Sequence, residues 1–417
     1  MKKIVTLLLI SFTLTSNSQT EFKVMFYNLL NYPTAPPNNR SLILKNILNN
    51  YEPDLFMVCE LENNDASNEI LSVSLSEINK NYSKAQFITN QSNTFGDTHL
   101  QQLIYYNNNY FILDNQSIIL TNIRDINHYS FILNTPNYLT NPIYLEVFVT
   151  HLKASQGNTN IQKRLEMVTE FTNYLDNLPV NSNVIFAGDF NFYTTSESGY
   201  QKILNNNNNI IMKDMLNLNN NLQNWHNHIS YANIHTQATR LSNSAFNNYG
   251  AGGGLDDRFD FIMLSENITN NSNINYINNT YKSFGNNSNC YNRRIDDSNC
   301  NGFYNQNLRS NLYNMSDHLP VVLSLESSQT LNTNNATLNK NYIKIINGNL
   351  IKNEITIYSS SELINTKFSV FNSIGQIVYS NKLNNSITNI NISLLDKGIY
   401  YIKFENIKQN LKFIVIK

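Results

Sequence analysis

Charge is scarce in this chain of 417 residues, with Asp, Glu, Lys and Arg together making up 14% of it. Lys+Arg 29 against Asp+Glu 30 leaves a net charge of −1, so no global basic field draws nucleic acid to the molecule. A local patch or bound cations would have to do that work. Asn takes the place of charge on the surface, as in Asn205–Asn209, and such runs read as loops of biased composition. The many Asn-x-Ser/Thr triplets that this bias creates carry no weight. Cysteine is nearly absent, and no second Cys or His pair stands at ligand spacing, which argues against zinc. Cys290 and Cys300 could be oxidised to a bridge in an exported protein, whereas Cys59, after Leu55-Phe56-Met57-Val58, reads as a small buried hydrophobe. The single Trp, Trp225, sits amid Asn and His rather than in an apolar loop fit for membrane insertion. Gly252-Gly253-Gly254 lacks the Lys and Ser/Thr of a phosphate-cradling loop and instead lets the segment before Asp260 turn.

Long hydrophobic runs are missing too. The first, Ile4–Ile10, follows Met1-Lys2-Lys3 and precedes small polar residues to Gln19. A basic start, a short apolar run and a polar end predict a secretory signal peptide over residues 1–19. No other apolar run approaches the length of a membrane span, so stable membrane insertion is not expected and the mature chain is expected outside the cytoplasm.

The length exceeds one typical domain. From residue 20 to 326, apolar strands alternate with helical patterns. Phe22–Asn28, Asp54–Glu60, Gln102–Tyr106, Ile143–Leu152, Val184–Ala187, Phe259–Leu264 and Val321–Leu325 read as strands. Ser41–Tyr51 and Asn160–Leu178 carry apolar residues at helical spacing. Mixed elements with strands dominant predict an α/β unit of two packed sheets covered by helices. Residues 327–341 are polar and read as a linker, and residues 342–417 return to short alternating strands separated by turns such as Ser373–Gln376 and Asp396–Gly398, as in a small all-β sandwich.

Chemistry concentrates where strands start or stop. Val184–Ala187 runs into Gly188-Asp189-Phe190-Asn191, and Ser316-Asp317-His318-Leu319-Pro320 leads into Val321–Leu325. Polar groups at strand ends project into the rim of a sheet. Carboxylates with His and Asn, and no cysteine pair, suit a hard divalent cation and a phosphate substrate.

The ordered set Phe26-Tyr27-Asn28-Leu29, Pro53–Glu60, Thr150-His151-Leu152, Ala187–Asn191, Arg258-Phe259-Asp260-Phe261 and Ser316–Pro320 resembles the endonuclease/exonuclease/phosphatase superfamily. That group includes the pancreatic-type deoxyribonuclease, exonuclease III and the secreted sphingomyelinases. The resemblance covers roughly residues 21–326 and implies a four-layered α/β sandwich of two packed mixed sheets with the active site at one edge. It also implies roles. Glu60 would hold Mg²⁺ or Mn²⁺, with Glu62 its competitor and motif alignment favouring Glu60. Asn28 and Asp317 would face the same metal region. Asp189 would align or deprotonate the attacking water, Asn191 would donate to the phosphate, and His151 would donate to the opposite phosphate oxygen or the leaving group. His318 would exchange the proton, with Asp260 holding its other ring nitrogen. The letters leave Asp189 and His318 open as the general base.

The other histidines, His99, His128, His226, His228 and His235, fall outside these motifs and read as surface or loop residues. Arg258 would touch phosphate or pair with Asp256 or Asp257, and Arg164 would face the sheet edge. The tail from about Tyr342 resembles a type A C-terminal sorting domain of the type IX secretion system, on Val370–Gln376, Asp396–Tyr401 and the terminal Phe413–Lys417. Its rival is a carbohydrate- or adhesion-type β module, and the terminal position with a basic end favours sorting. Together these features predict a secreted, metal-dependent phosphodiester hydrolase of a Bacteroidetes-like bacterium. It is expected to be a monomer exported by the type IX machinery, with DNA its first candidate substrate. Sphingomyelinase-like or phosphoinositide phosphatase activity, and a non-catalytic adhesion protein, are the alternatives.

Overall fold

The computed structural model describes residues 20–416 except 77, 79, 93–99, 220, 271, 332–342, 346–349, 360–362, 386, 406, 408 and 409. The signal peptide, His99 and most of the linker read from the sequence lie outside the described residues.

Four strands open the first sheet: β1 (Thr20–Tyr32), β2 (Leu55–Leu61), β3 (Tyr82–Lys84) and β4 (Gln101–Asn107). Six form the second: β5 (Phe111–Ile119), β6 (Ile126–Leu133), β7 (Tyr144–His151), β8 (Val184–Asp189), β9 (Met212–Asp214) and β10 (Asp260–Ser265). The chain then returns to the first with β11 (Ile274–Tyr276), β12 (Lys282–Ser283) and β13 (Val321–Ser327). The first sheet runs β11-β13-β1-β2-β4-β3 with β12 also on β13, and the second runs β5-β6-β7-β8-β10-β9. Both are mixed: β1 lies parallel to β2 and antiparallel to β13, while β7 lies parallel to β8 and β8 antiparallel to β10.

Burial on both faces explains why β8 and β10, interior strands of the second sheet, read as unbroken apolar runs. On β8 Ile185 and Ala187 enter the core between the sheets, whereas Val184 and Phe186 enter a second core on the outer face. On β10 Ile262 and Leu264 take the inner side, and Phe261 and Met263 the outer. The outer core is roofed by α2 (Asn158–Leu175), whose Met167, Val168, Phe171 and Leu175 recur at helical spacing, and by Tyr200 and Ile203 of α3 (Ser198–Ile203). On the first sheet, α1 (Arg40–Leu48) and α4 (Gln306–Met315) contribute Leu44, Ile47, Leu48, Leu312 and Met315 to a core continuous with the one between the sheets. Helix, sheet, sheet, helix is the four-layered α/β sandwich expected.

Several single-residue expectations give way. His128 and His235 are buried rather than superficial. His128 sits on β6, stacked on Phe148, with Nε2 2.7 Å from Glu146, and His235 Nε2 meets the Trp225 carbonyl at 2.9 Å. Arg258 pairs with neither Asp256 nor Asp257. Its guanidinium makes two bonds, of 2.7 and 2.8 Å, to Asp214, so charge pairing inside the fold decides its place. Arg164 is fully buried and pairs with Glu197 at 2.8 and 2.9 Å. Cys290 and Cys300 are joined by a disulfide, and Cys59 is buried and free.

The tail folds around its own core. One sheet carries Ile343, Ile355, Ile357 and Ile390, and a five-stranded one carries Phe368, Val370, Ile402, Phe404, Phe413 and Val415. In the strand Gly398–Phe404, Tyr400, Ile402 and Phe404 point inward while Ile399 and Tyr401 face solvent, the alternation of a half-buried sheet.

Candidate active site

Register alone brings the motifs to one edge. β1 pairs with β2 up to Asn28 opposite Cys59, which sets Glu60 beside Asn28. His151 stands opposite Asp189, and Asp189 opposite Asp260. β13 starts at Val321 opposite Phe26, so Asp317 and His318 arrive at the same end. The β7–β8 crossing is tight there, since a Cβ on Gly188 would stand 2.3 Å from the Thr150 carbonyl oxygen. The backbone of the edge is strained: Leu30, Asn31, Glu60 and Asn191 all hold positive φ, between 40° and 58°. Asn tolerates that region, but for Leu and Glu it costs about 1–3 kcal/mol each.

Asn28 ties the two sheets together. Its Nδ2 donates to Glu60 Oε1 at 2.9 Å and to Asp189 Oδ2 at 3.0 Å, while its Oδ1 accepts from the Leu30 amide. The Asn31 amide donates to Glu60 Oε2 at 3.0 Å. Asp189 Oδ1 accepts from the side chain of Asn191 at 2.8 Å. Nε2 of His151 lies 3.6 Å from Asp189 Oδ2 and 4.0 Å from Glu60 Oε1. On the other side His318 Nδ1 meets Asp260 Oδ2 at 2.8 Å, and its Nε2 faces Asp189 Oδ2 at 3.8 Å. All eight residues picked from the sequence therefore meet within one constellation.

Crowded carboxylates in a dry setting resist ionisation. Asp189 is pushed up to about 7 by burial and by Asp260 and Glu60, against the pull of His318 and Asn28. Burial and Asp317 raise Glu60, with Asn28 and His318 opposing. Burial and the Arg124 charge hold His151 well below the usual histidine value. For His318 burial favours the neutral ring, yet Asp260, Asp317 and Asp189 outweigh it and raise its pKa. A hydrogen bond presses the other way, because the Gln237 amide nitrogen lies 2.6 Å from Nε2. Gln237 Nε2 also donates to Asp317 Oδ2 at 3.1 Å, which fixes its orientation. Nε2 therefore turns its lone pair to the Gln237 N–H rather than carrying a proton of its own. We assign the neutral ring here, with its proton on Nδ1 towards Asp260.

This donor set fits a hard cation. One ligand atom each from Glu60, His151 and Asp189 lies within 4.8 Å of the others. A cation among them would relieve the repulsion that raises both acids. The grouping departs from the set read from the sequence. Asn28 turns its amide nitrogen, not its oxygen, towards the acids. Asp317 spends Oδ2 on Gln237 and on the Ala251 amide at 2.6 Å, while its buried Oδ1 has no hydrogen-bond partner. His151 stands closer to the acids than the sequence placed it.

Comparison with known proteins adds two findings. Residues 349–417 match the secretion system C-terminal sorting domain. Such a domain implies secretion or attachment at the cell surface. Among solved structures, the chain is similar to an endonuclease/exonuclease/phosphatase family protein from Bacteroides thetaiotaomicron, 14% identical, TM-score 0.45, over 75% of this chain and 97% of that one. It is also similar to the human nocturnin catalytic domain, 14% identical, TM-score 0.44, over 74% and 97% of the two chains. A third is a mannosyl-6-phosphatase of Bacteroides thetaiotaomicron, 13% identical, TM-score 0.43, over 73% and 99%. No curated protein matches the sequence. Among the described residues no helix is long and apolar enough to cross a membrane.

The constellation opens into a cleft of about 380 Å³ whose lining includes Phe259 and adds residues no motif had marked: Arg124, Tyr193 and Gln237. Gln237 sits between Thr236 and Ala238 in a stretch with no strand pattern. Only the fold reveals it, by laying that segment against Asp257 and His318. Thr236 helps from behind, its Oγ1 accepting from the amides of Phe259 and Asp260 at 3.1 and 3.3 Å.

Proposed function

We propose that the chain is an exported, divalent-metal-dependent phosphodiester hydrolase acting on nucleic acid, with DNA the first substrate to test. One observation carries the reading: a Glu60–His151–Asp189 cluster and a His318–Asp260 pair face each other across a single cleft. Glu60, His151 and Asp189 would hold Mg²⁺ or Mn²⁺, and the bound ion would offset charge on the phosphoryl oxygens. Asp189 Oδ2 and His318 Nε2, 3.8 Å apart, bracket the place where an attacking water would lose its proton. Asp260 holds the imidazole in one tautomer, so that Nε2 can take up a proton as the water attacks. Asn191 lines the same wall and would donate to a phosphoryl oxygen, whereas His151 would be spent on the cation. Arg124 adds a positive charge to a molecule that has little to spare.

The sorting tail fits delivery by the type IX machinery, after removal of the signal peptide. We read the chain as a monomer. Trp225 is fully buried, its indole N–H bonded to the Phe192 carbonyl at 2.9 Å, so it offers no membrane anchor and the lipid-directed reading gains nothing from it. A pure adhesion role leaves the assembled His, Asn and acid groups without purpose. The decisive assay offers plasmid DNA, RNA, sphingomyelin and bis-p-nitrophenyl phosphate with Mg²⁺, with and without chelator. Cleavage of the nucleic acids that stops with chelator is expected, and Glu60→Ala should raise the Mg²⁺ requirement or abolish turnover. Full activity in excess chelator would sink the metal reading, and preference for sphingomyelin the substrate reading.

A further inference from the structure

Tyr193 stands out among the side chains lining the cleft, because it is aromatic, partly exposed and held in place from several directions. Its backbone N–H donates to Glu197 Oε1 at 2.7 Å, and Glu197 is itself anchored by Arg164. Phe259 meets its ring edge-on, with centroids 4.9 Å apart, and His226 does the same at 5.1 Å. His226 is fixed in turn, Nδ1 on Asp257 at 2.7 Å and Nε2 beside Gln156 at 3.0 Å. None of these contacts serves the chemistry at His318. They do hold a flat, half-open ring two residues beyond Asn191, where the group flanking a bound phosphate would lie.

We propose that Tyr193 is a stacking platform for the planar base of a nucleotidyl phosphodiester, braced by Phe259 and His226. This rests on the phosphodiesterase reading and narrows its substrate. An aromatic ring also attracts quaternary ammonium groups such as choline, but this ring already carries a cation, the Arg164 guanidinium, whose carbon lies 5.7 Å from its centre. A neutral base asks only for the flat ring face and is the occupant favoured. Stacking needs no hydrogen-bond code, so the platform predicts tolerance among bases.

The test uses the full chain with Mg²⁺ on thymidine 5′- and 3′-(p-nitrophenyl phosphate). Each is compared with its counterpart lacking the base and with p-nitrophenylphosphorylcholine. For the wild type, kcat/KM should favour the base-bearing ester over the baseless one in at least one isomer, by about 5- to 150-fold. Tyr193→Ala should bring that ratio towards one, while Tyr193→Phe and Tyr193→Trp should keep it. Thermal melting of each variant separates loss of fold from loss of stacking, and the ratio itself is insensitive to the fraction of folded enzyme. If the wild type cleaves the esters without regard to the base, or Tyr193→Ala keeps the preference, the platform is wrong although the hydrolase reading stands. A phosphorylcholine ester cleaved best, and lost on Tyr193→Ala, would also overturn it. A wild type that cleaves no ester at all removes both.

Discussion

The 2.8 Å contact between His318 Nδ1 and Asp260 is the most consequential hydrogen bond of the site, and it yields a non-additive expectation. His318→Ala deletes the proton-exchanging group and should lower kcat/KM by about 10²–10⁴-fold. Asp260→Asn leaves a ring that is poorly oriented and should cost less. The double mutant should be little worse than His318→Ala alone, because a partner matters only while the histidine exists. Strictly multiplicative losses would show that the two residues act independently. Gln237 gives a second case. Its amide is the donor shared by Asp317 and His318, and Gln237→Ala should lower kcat by about 10- to 100-fold, the range for a hydrogen bond to a charged group, and shift the pH–rate profile. A change confined to melting temperature would reduce Gln237 to a structural role. Asn28, Glu60, His151, Asp189, Asn191, Asp260, Asp317 and His318 were legible because each ends or begins an apolar strand, which letters reveal. Gln237 and Tyr193 were not, since their positions depend on loops folding back from distant parts of the chain.

At the scale of elements, strands buried on both faces announced themselves. β2, β8 and β10 are apolar along nearly their whole length. β5 and β6 did not, because the edge strand β5 carries Asp114, Asn115 and Gln116 in succession and its pairing shifts register at Leu113/Asn115. Their polar face also hides a network, with Glu146 accepting from Ser130 at 3.0 Å and contacting His128. No period distinguishes such a buried polar layer from a solvated one. The Arg258–Asp214 pair, which joins β9 to the segment entering β10, was equally invisible, and it makes a sharp prediction. Burial alone would raise the Asp214 carboxyl, but the charge and hydrogen bonds of Arg258 outweigh it and hold the pKa low. With the native value depressed, the unfolded chain takes up this proton first as pH falls. The pair's contribution is therefore complete above about pH 4 and is lost as pH falls further through the native value. Asp214→Asn should lower stability by about 3–5 kcal/mol at neutral pH, as expected when a buried charge loses its partner, and flatten this part of the acid limb. Denaturant melts at pH 7 and pH 3 would show both effects. An unchanged acid limb would mean that other carboxylates set it.

On the scale of the whole molecule, the letters set the first unit at residues 20–326, but the fold extends it. β13 runs to Ser327, and Leu331 packs into the shared core with 1% of its surface exposed. We therefore propose a boundary after Leu331, with the sorting tail dispensable for catalysis. A protein ending at Leu331 should hydrolyse the test substrate at near the full rate. One ending at Glu326 should melt at a lower temperature, since burying a Leu contributes about 1.5–3 kcal/mol. If the longer truncation folds yet is inactive, the tail takes part in the site. The pairing of Thr20 with Ser327 carries this division further. The first and last residues of β1 and β13 lie side by side, at the end of the sheet remote from Asn28, about 26 Å away at the rise of an extended strand. A copy anchored through whatever follows Ser327 would thus be held by its heel, with the mouth of the cleft turned outward, able to reach long polymers in the surrounding medium without being released from the cell.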